Sequence, residues 1–223
     1  MKIAIFGAGT LAKLALHYLT VETDHEVICF VIDRDKNLNK KPEKFYDKNV
    51  YYFDEFQDIF RPKEVKMFIA IAYKDMRNRK KVFDRINQLG YNLINIISNS
   101  AIICGDIIKG KNNFIMANSV LEPESSIGSN NLIWSNTTIC HNTIIGNHNF
   151  LAANVTIGGW SKIEDLCFLS FSSTVSDKIH VKDEVLLAAN SFLDNNADKL
   201  RRFQGIPAIE YSKIDDKIGI TFP

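Results

Sequence analysis

The sequence predicts an α/β domain, formed by half of a doubly wound sheet, followed by a parallel β-helix of six-residue repeats. The first observation is an aliphatic residue at every sixth position from Ile127 to Leu193, and the second is an alternation of strand-like and helix-like segments over residues 1–98. A period of six fits neither a helix, whose period is near 3.6, nor an ordinary strand, whose period is 2. Fixed self-similarity of this kind is the signature of a solenoid.

In the repeat region, one large aliphatic side chain per unit is expected to point into a narrow core, with a smaller residue four positions later. The aliphatic positions are Ile127, Ile133, Ile139, Ile145, Leu151, Ile157, Ile163, Leu169, Val175, Val181, Leu187 and Leu193. Three units close a triangular coil of about 18 residues, and coils stack at a strand spacing of about 4.8 Å. An earlier run, Ile102, Ile108, Phe114 and Val120, has the same period but lies one residue out of phase. It predicts a single-residue bulge within Leu121–Ser126 and about five coils in all.

The N-terminal residues alternate between strands and helices. Four apolar segments are predicted to be strands: Lys2–Phe6, Glu26–Ile32, Lys66–Ala72 and Asn92–Ile97. One helical pattern follows Gly9, another runs from Asp75 to Leu89, and Asp35–Phe60 has a poor pattern. The sequence therefore predicts an α/β domain over 1–98, a β-helix over 99–194 and a C-terminal segment over 195–223 that covers the last coil.

A glycine-containing turn, Gly7-x-Gly9-x-x-Ala12, joins the first strand to the first helix. Such a turn lets a phosphate approach the helix N-terminus, and Asp33 at the end of the second strand is placed to meet a ribose or base. The alternative is that the glycines only allow a tight turn and close packing. A nucleotide-sugar fits this half-fold better than NAD does, because no second set of strands follows to hold a nicotinamide.

Composition and charge exclude several classes of partner. A formal net charge of +1 gives no reason to expect nucleic acid or a membrane surface as the main partner. The four cysteines are scattered without a close pair, which favours reduced thiols over a disulfide framework or a zinc site. The N-terminus has no signal-peptide pattern and no apolar run is long enough to span a membrane, so we expect a cytoplasmic protein.

His141 is the strongest candidate for a catalytic residue. It follows the inward Ile139 by two positions, so it is expected to point outward, and Gly159 occupies the same position one coil later. An imidazole would then lie beside a bare backbone N–H, about 4.8 Å along the axis. A base beside a fixed backbone donor is the arrangement that acyl transfer requires.

Two other uses of this region are disfavoured. The neighbouring Cys140 is expected to point to the opposite face of its strand, so it does not fit a thiol nucleophile acting with His141. His141, His148 and His180 do not recur at multiples of a coil, so they do not converge on a zinc ion and no metal site is predicted.

The chain resembles the bacterial nucleotide-sugar acyltransferases, the group that contains the sialic-acid O-acetyltransferases and the bacillosamine-pathway N-acetyltransferases. The resemblance is carried by the hexapeptide array, the block Trp134–His141 and the terminal Gly205–Ala208. Three N-terminal segments match the same group, so the resemblance covers nearly the whole chain: Ile5–Gly9, Phe68–Ala72 and Gly90-Tyr91.

This resemblance implies a homotrimer of left-handed β-helices that acetylates a nucleotide-linked, amino deoxysugar for surface-glycan assembly, by direct transfer from acetyl-CoA. His141 would be the general base and Gly159 the oxyanion donor, and Gly159, Phe171 and Ala189 would line the CoA groove between neighbouring columns. The residues implied to contact the sugar nucleotide are Gly7, Gly9, Thr10, Asp33, Arg34, Tyr73 and Arg77.

The chain departs from the family pattern at three positions. Asn142 follows the histidine where many members have an acidic residue or a second histidine. The role of orienting the imidazole then passes to another group, for which Glu122 is the candidate. Phe150 stands where many members have a histidine that contacts CoA, and Tyr73 stands where a glycine usually follows the third strand.

Two alternatives stay open. One is a trimeric β-helix that only binds or serves as a scaffold, which Asn142 and Phe150 favour. The other is a nicotinamide-dependent oxidoreductase, which rests on the Gly7-x-Gly9 turn. Thiol release from acetyl-CoA would exclude the first, and tight NADH binding without CoA binding would favour the second.

Overall fold

The computed structural model describes residues 1–34 and 42–220. Over these residues the chain packs as two compact units. Met1–Ala72 and Lys81–Ile96 form the first, whereas Tyr73–Lys80 joins the chain from Ile97 onward in the second. The domain limits given from the sequence, at 98/99 and 194/195, stay a prediction.

The N-terminal unit is built on a six-stranded sheet. Its elements are β1 (Lys2–Phe6), α1 (Thr10–Glu22), β2 (Glu26–Ile32), β3 (Lys44–Phe45), β4 (Lys48–Tyr52), α2 (Phe53–Ile59), β5 (Lys66–Ile69), the part of α3 (Met76–Gln88) from Lys81 onward, and β6 (Asn92–Leu93). The strand order is β3-β4-β2-β1-β5-β6, and every neighbouring pair is parallel except β3 and β4. The direction of strand addition reverses at β1, and ligands of such sheets bind beyond the carboxyl ends of the strands at this point.

The sequence predicted the central strands of this sheet better than its edge. β1 and β2 have the predicted limits, β5 ends earlier at Ile69, and the predicted fourth strand is divided into β6 and β7 (Ile96–Ile97). The segment of poor pattern contains β3, β4 and α2, apart from residues 35–41, which lie outside the described residues. In β4 only Val50 is fully buried, so that strand has no hydrophobic alternation to detect.

The second unit is a triangular β-helix, and its three faces are parallel sheets. The first face holds β7, β9 (Phe114–Ile115), β12 (Leu132–Ile133), β15 (Phe150–Leu151), β18 (Phe168–Leu169) and β21 (Leu186–Leu187). The second face holds β8 (Ile102–Ile103), β10 (Val120–Leu121), β13 (Thr138–Ile139), β16 (Thr156–Ile157), β19 (Thr174–Val175) and β22 (Phe192–Leu193). The third face holds β11 (Ser126–Ile127), β14 (Ile144–Ile145), β17 (Lys162–Ile163) and β20 (His180–Val181).

The predicted period sets the core of this prism. The second residue of each strand from β9 to β22 points inward and is at most 1% exposed. The smaller residues at the corners are buried beside them, and their hydroxyls reach main-chain carbonyls of the next coil. Thr143 Oγ1 donates to Gly158 O over 3.0 Å, and Ser161 Oγ donates to Ser176 O over 2.8 Å. Polar corner residues are therefore tolerated because their groups are bonded.

From Asn112 to Asn190, each corner of the β-helix contains a residue with positive φ. Asparagine is the favoured non-glycine residue in this conformation, because its short side chain bonds locally and tolerates the left-handed region. Seven such positions in the array are asparagine: Asn112, Asn118, Asn130, Asn136, Asn142, Asn154 and Asn190.

The predicted bulge within Leu121–Ser126 is wrong. Leu121 pairs with Ile139 and Ile127 with Ile145, so the register is unbroken across that segment. The irregularity lies earlier, because Ile108 bridges Ile127 instead of the residue 18 positions before it. Three residues of the run that suggested the bulge, Ile102, Phe114 and Val120, occupy outward positions, and Phe114 is fully buried outside the prism. Ile108 instead packs against the core.

The C-terminal segment continues the first face and then ends it. β23 (Arg201–Gln204) pairs with β21 in parallel, and β24 (Ile209–Lys213) pairs with β23 in the antiparallel direction. The Ala208 N–H also donates to Phe192 O over 2.7 Å. Within 1–34 and 42–220, none of the helices has the length and apolar character needed to cross a bilayer.

Candidate active site

The histidine predicted as a base lies at the corner between the second and third faces. Ile139 and Thr143, which flank it, are both buried and fix the turn to the core. Asn142 takes up the left-handed conformation, with φ of 58°, that turns the chain from one face to the next. His141 is therefore held by a rigid corner and projects outward, where its side chain is half-buried.

The structure brings Gly159 against this histidine, as predicted. The two residues follow paired strands, β13 and β16, and the Trp160 N–H donates to His141 O over 3.1 Å. A Cβ atom at Gly159 would come within 2.9 Å of His141 Cε1 and 3.1 Å of Nε2. Among the described residues, the Gly159 N–H has no protein acceptor. An imidazole nitrogen and an unused amide thus lie side by side on successive coils.

Asn142, and not Glu122, orients the imidazole. Asn142 Oδ1 lies 3.0 Å from His141 Nδ1, and Asn142 Nδ2 donates to Glu124 Oε2 over 2.5 Å. Because an amide oxygen only accepts, Nδ1 carries the proton and Nε2, on the Gly159 side, is left as the basic nitrogen.

The assignment of Glu122 as the orienting group is therefore wrong. Its carboxylate accepts from the His141 main-chain N–H over 2.9 Å and not from the ring. Glu122 lies one coil before His141, and its carboxylate reaches the main chain of the turn. Asn142 lies in the turn itself, and its amide reaches the imidazole ring. Sequence spacing does not distinguish these two contacts, so the prediction failed. Glu122 therefore fixes the position of the turn.

Trp160 was not singled out from the sequence, yet it borders the histidine. The two rings meet edge to face, with centroids 4.3 Å apart. Lys178, one coil later, places its Nζ 6.0 Å from the indole centroid. Trp160 nevertheless keeps 57% of its surface exposed. An aromatic surface is therefore available next to the imidazole.

Cys140 is poorly suited to act as a nucleophile beside His141. Partial burial raises the pKa of its thiol, and the negative charge of Glu122 raises it further. A thiol is nucleophilic only as the thiolate, so both effects lower its reactivity. This chemistry agrees with the sequence argument that Cys140 and His141 face opposite ways.

In the N-terminal unit, Gly7 and Gly9 have different structural roles. Gly7 has φ of 124°, and a Cβ atom there would lie 2.7 Å from Ala70 O. Gly9 is the N-cap of α1 without a side-chain cap, and a Cβ atom there would meet nothing within 4 Å. Gly9 and Thr10 are exposed, so the positive end of α1 faces open space beyond the end of β1. This is the geometry that a phosphate uses.

Asp33 and Arg34 follow β2 and lie at the same edge of the sheet. Arg85 Nη2 donates to both Asp33 carboxylate oxygens over 2.9 Å, and the guanidinium lies over the rings of Phe6 and Phe53. Arg34 donates to Asp54 over 2.9 Å; this bond raises the pKa of Arg34. Sequence reasoning missed Arg85, because it is one of five basic residues in α3 and no spacing distinguishes it.

Tyr73 and Arg77, predicted as weaker contacts of the sugar nucleotide, belong to the second unit. The Tyr73 ring packs on Phe150, with centroids 4.6 Å apart. Arg77 forms two hydrogen bonds with Glu184, over 2.9 and 2.8 Å, and these raise the pKa of Arg77. Both side chains are therefore engaged in packing the 73–80 segment on the β-helix, and their role as substrate contacts remains an untested prediction.

The same segment carries a fully buried arginine. Arg79 Nη2 donates to the carbonyl oxygens of His148 and Asn149, and burial lowers the pKa of Arg79 to about 9. His148, which the zinc alternative would have used, is itself buried and bonds Asn130 through Nδ1. Within the described residues, no three His, Cys, Asp or Glu side chains cluster in a way that could hold a metal ion.

Phe171 and Ala189 lie at a different corner from His141. They follow β18 and β21 on the first face, whereas His141 and Gly159 follow strands of the second face. Within one chain, the structure does not bring the two predicted parts of the CoA site together. Phe150, in turn, stacks on Phe168 with a centroid distance of 4.8 Å, so it packs on the outside of the first face.

The fold defines the class of the protein, which is a half-Rossmann domain joined to a left-handed β-helix of hexapeptide repeats. Residues 2–86 match the family model of the PglD N-terminal domain, and residues 124–159 match that of the bacterial transferase hexapeptide (six repeats). The resemblance and the fold predicted from the sequence are confirmed by these matches. No curated protein matches the chain.

Several solved structures share the fold over nearly the whole chain. PerB from Caulobacter crescentus, in complex with CoA and GDP-perosamine, is 19% identical with a TM-score of 0.82, covering 95% of this chain and 98% of that one. The acetyltransferase domain of PglB from Neisseria gonorrhoeae FA1090, in complex with acetyl coenzyme A, is 16% identical with a TM-score of 0.83, covering 94% and 98%. WeeI from Acinetobacter baumannii AYE is 12% identical with a TM-score of 0.60, covering 95% and 100%.

Proposed function

We propose that this protein is an acetyl-CoA-dependent acetyltransferase whose acceptor is a nucleotide-linked amino deoxysugar. The observation that carries the proposal is the close approach of the His141 imidazole to Gly159, where even a Cβ atom would lie 3.1 Å from Nε2. A base beside an unused amide serves acyl transfer, and two structures of the same fold contain CoA with a nucleotide sugar, or acetyl-CoA.

In the proposed reaction, His141 Nε2 takes a proton from the acceptor nitrogen or oxygen as that atom attacks the thioester carbonyl carbon. The carbonyl oxygen becomes negatively charged and accepts a hydrogen bond from the Gly159 N–H. The carbon–sulfur bond then breaks, and the CoA thiolate receives the proton from the imidazolium. No acyl-enzyme is formed, which is consistent with the raised pKa of Cys140.

The two substrates would use different parts of the chain. The turn at Gly7 and Gly9, with Thr10, Asp33 and Arg34 at the same sheet edge, offers the proposed site for the nucleotide and its diphosphate. Arg85 extends the predicted set, because it holds the Asp33 carboxylate in place.

The acyl donor would be bound between chains. Gly159 lies at one corner of the prism and Phe171 and Ala189 at another. One extended CoA molecule can contact both sets if neighbouring copies place these corners together, which supports the predicted homotrimer. The cytoplasmic location and the role in surface-glycan assembly also remain predictions.

The proposal is tested by measuring thiol release from acetyl-CoA with a panel of GDP-, UDP- and dTDP-linked 4-amino-4,6-dideoxyhexoses. We expect turnover with at least one of them and an acetylated sugar product by mass spectrometry. His141→Ala should lower turnover by roughly 10²–10⁴. His17→Ala is the control, because His17 is exposed on α1 and should leave turnover unchanged. Equal turnover of the two variants would remove His141 from the mechanism, and no thiol release with any sugar would leave the binding or scaffold alternative.

A further inference from the structure

Trp160 occupies a backbone position that its residue type disfavours. Its φ is 54°, in the left-handed region, where a bulky side chain is strained. Seven equivalent positions of the array carry asparagine, which adopts this conformation more easily. Some other departures from asparagine are accounted for by their contacts: Glu124 bonds Asn142, Glu184 pairs with Arg77, and Leu166 is buried. Trp160 is the largest side chain at these positions and is 57% exposed, so neither the backbone nor burial accounts for an aromatic ring at this corner.

The contacts of Trp160 place its side chain beside His141. One part of the indole meets His141, and Lys178 lies near the ring, yet more than half of the residue faces solvent. The acceptor atom has to come within hydrogen-bond reach of His141 Nε2 for its proton to be removed. The molecule that carries that atom then binds beside the indole, whose ring centroid lies 4.3 Å from that of His141.

We infer that Trp160 is a specificity-determining residue that stacks against the hexose ring of the acceptor. A pyranose has a flat face of C–H groups, and a 6-deoxyhexose adds a methyl group, so both present apolar surface to an aromatic ring. Covering the indole in this way removes apolar area from water on both partners. The pantetheine arm of CoA has no comparable flat face. The inference rests on the proposed function, because it assumes that His141 meets the acceptor.

A fluorescence titration tests the inference without requiring turnover. The chain has two tryptophans, so Trp134→Phe leaves Trp160 as the only indole emitter. Trp134 Nε1 is buried without a hydrogen-bond partner, so the substitution removes no bond among the described residues. In this variant, we expect each nucleotide-linked 4-amino-4,6-dideoxyhexose that binds to shift or quench the emission. GDP, UDP, dTDP and acetyl-CoA, none of which carries the hexose, should not. An equal response to acetyl-CoA would overturn the inference in favour of a contact with the acyl donor. An emission change that depends on protein concentration and not on the sugar would overturn it in favour of a contact between copies of the chain.

Kinetics of Trp160 variants provide the second test. Trp160→Asn introduces the residue favoured by the backbone, so the fold should be kept and the melting temperature should not fall. We expect it to raise KM for the sugar nucleotide about tenfold while leaving KM for acetyl-CoA within about twofold. Trp160→Phe should recover most of the loss, and Lys178→Met, at the same corner of the next coil, should have little effect. An unchanged sugar KM in Trp160→Asn contradicts the inference. Absence of wild-type turnover contradicts the proposed function instead, and the fluorescence titration then decides the role of Trp160.

Discussion

Gly159 lies so close to the imidazole of His141 that a single methyl group between them would contact the ring, with 2.9 Å to Cε1 and 3.1 Å to Nε2. Gly159 is not among the glycines with positive φ, so alanine is compatible with its backbone. The absence of a side chain at this position therefore serves the histidine and not the turn. Both residues belong to the same corner of the prism, repeated one coil apart.

Gly159→Ala is expected to abolish most activity and spare the fold. The added methyl group would displace the imidazole or cover its basic nitrogen, so kcat/KM should fall by at least about a hundredfold. Thiol-release kinetics measure the loss, and circular dichroism checks the structure. The double variant with His141→Ala should regain any melting temperature lost to the clash while remaining inactive. Near-normal turnover of Gly159→Ala would contradict the proposed geometry.

Asn142→Ala should weaken catalysis through the ring that it orients. Losing one neutral hydrogen bond to Nδ1 frees the imidazole to adopt the other tautomer, and we expect kcat/KM to fall about tenfold. Asn136→Ala is the matched control, because Asn136 has nearly the same φ at another corner of the β-helix. Both variants should lose similar stability, and only the first should lose activity. Equal activity of the two would show that Asn142 supports the turn alone.

The two glycines of the N-terminal turn should respond differently to alanine. Gly7→Ala forces a side chain into positive φ and against Ala70 O, so we expect a loss of about 2–4 kcal/mol in the free energy of unfolding. Gly9→Ala meets no atoms and should change stability by less than about 0.5 kcal/mol, while raising KM for the sugar nucleotide if a phosphate binds there. Calorimetry and hydrogen exchange of β1 measure the first effect. A stable Gly7→Ala variant would contradict the close approach of β1 to β5.

The reactivity of Cys140 should rise with pH later than that of a free thiol. Burial and the charge of Glu122 raise its pKa, so the thiolate fraction at a given pH is lower than that of a free thiol and alkylation should accelerate at a higher pH than for free cysteine. Burial raises the pKa of Cys29 to about 12, so Cys29 should stay unlabelled over the same range. Peptide mass spectrometry after iodoacetamide treatment gives both rates. Glu122→Gln should speed the labelling of Cys140, and Glu124→Gln should not. Faster labelling of Cys140 than of free cysteine at neutral pH would contradict this account.

The sequence predicted the interior of the array because one geometrical rule governs it. From Ile127 to Leu193 the inward positions recur every six residues, and all are buried. The rule failed before Ile127, because the outer side of the first face is also buried. Phe114 faces outward and is as buried as the inward Ile115, so hydrophobicity does not mark the inside there.

Contacts between residues that are far apart in the sequence could not be predicted from the repeat period. Glu184 lies 107 residues from Arg77, and Arg85 lies 52 residues from Asp33; neither pair has a spacing that a period could reveal. The juxtaposition of His141 and Gly159 was predictable because it depends only on the length of a coil. The choice between Asn142 and Glu122 was not, because it depends on which atom of His141 each side chain reaches.

The regular pairing of each rung with the next gives the β-helix an unusual route to new chemistry. Successive coils are near-copies, so a change in one copy is automatically presented to its neighbour at a fixed separation. At this corner one coil supplies the imidazole of His141, and the following coil supplies Gly159, which has no side chain. A working pair can therefore arise from two single substitutions in a repeated frame, without any new loop or any change in the path of the chain.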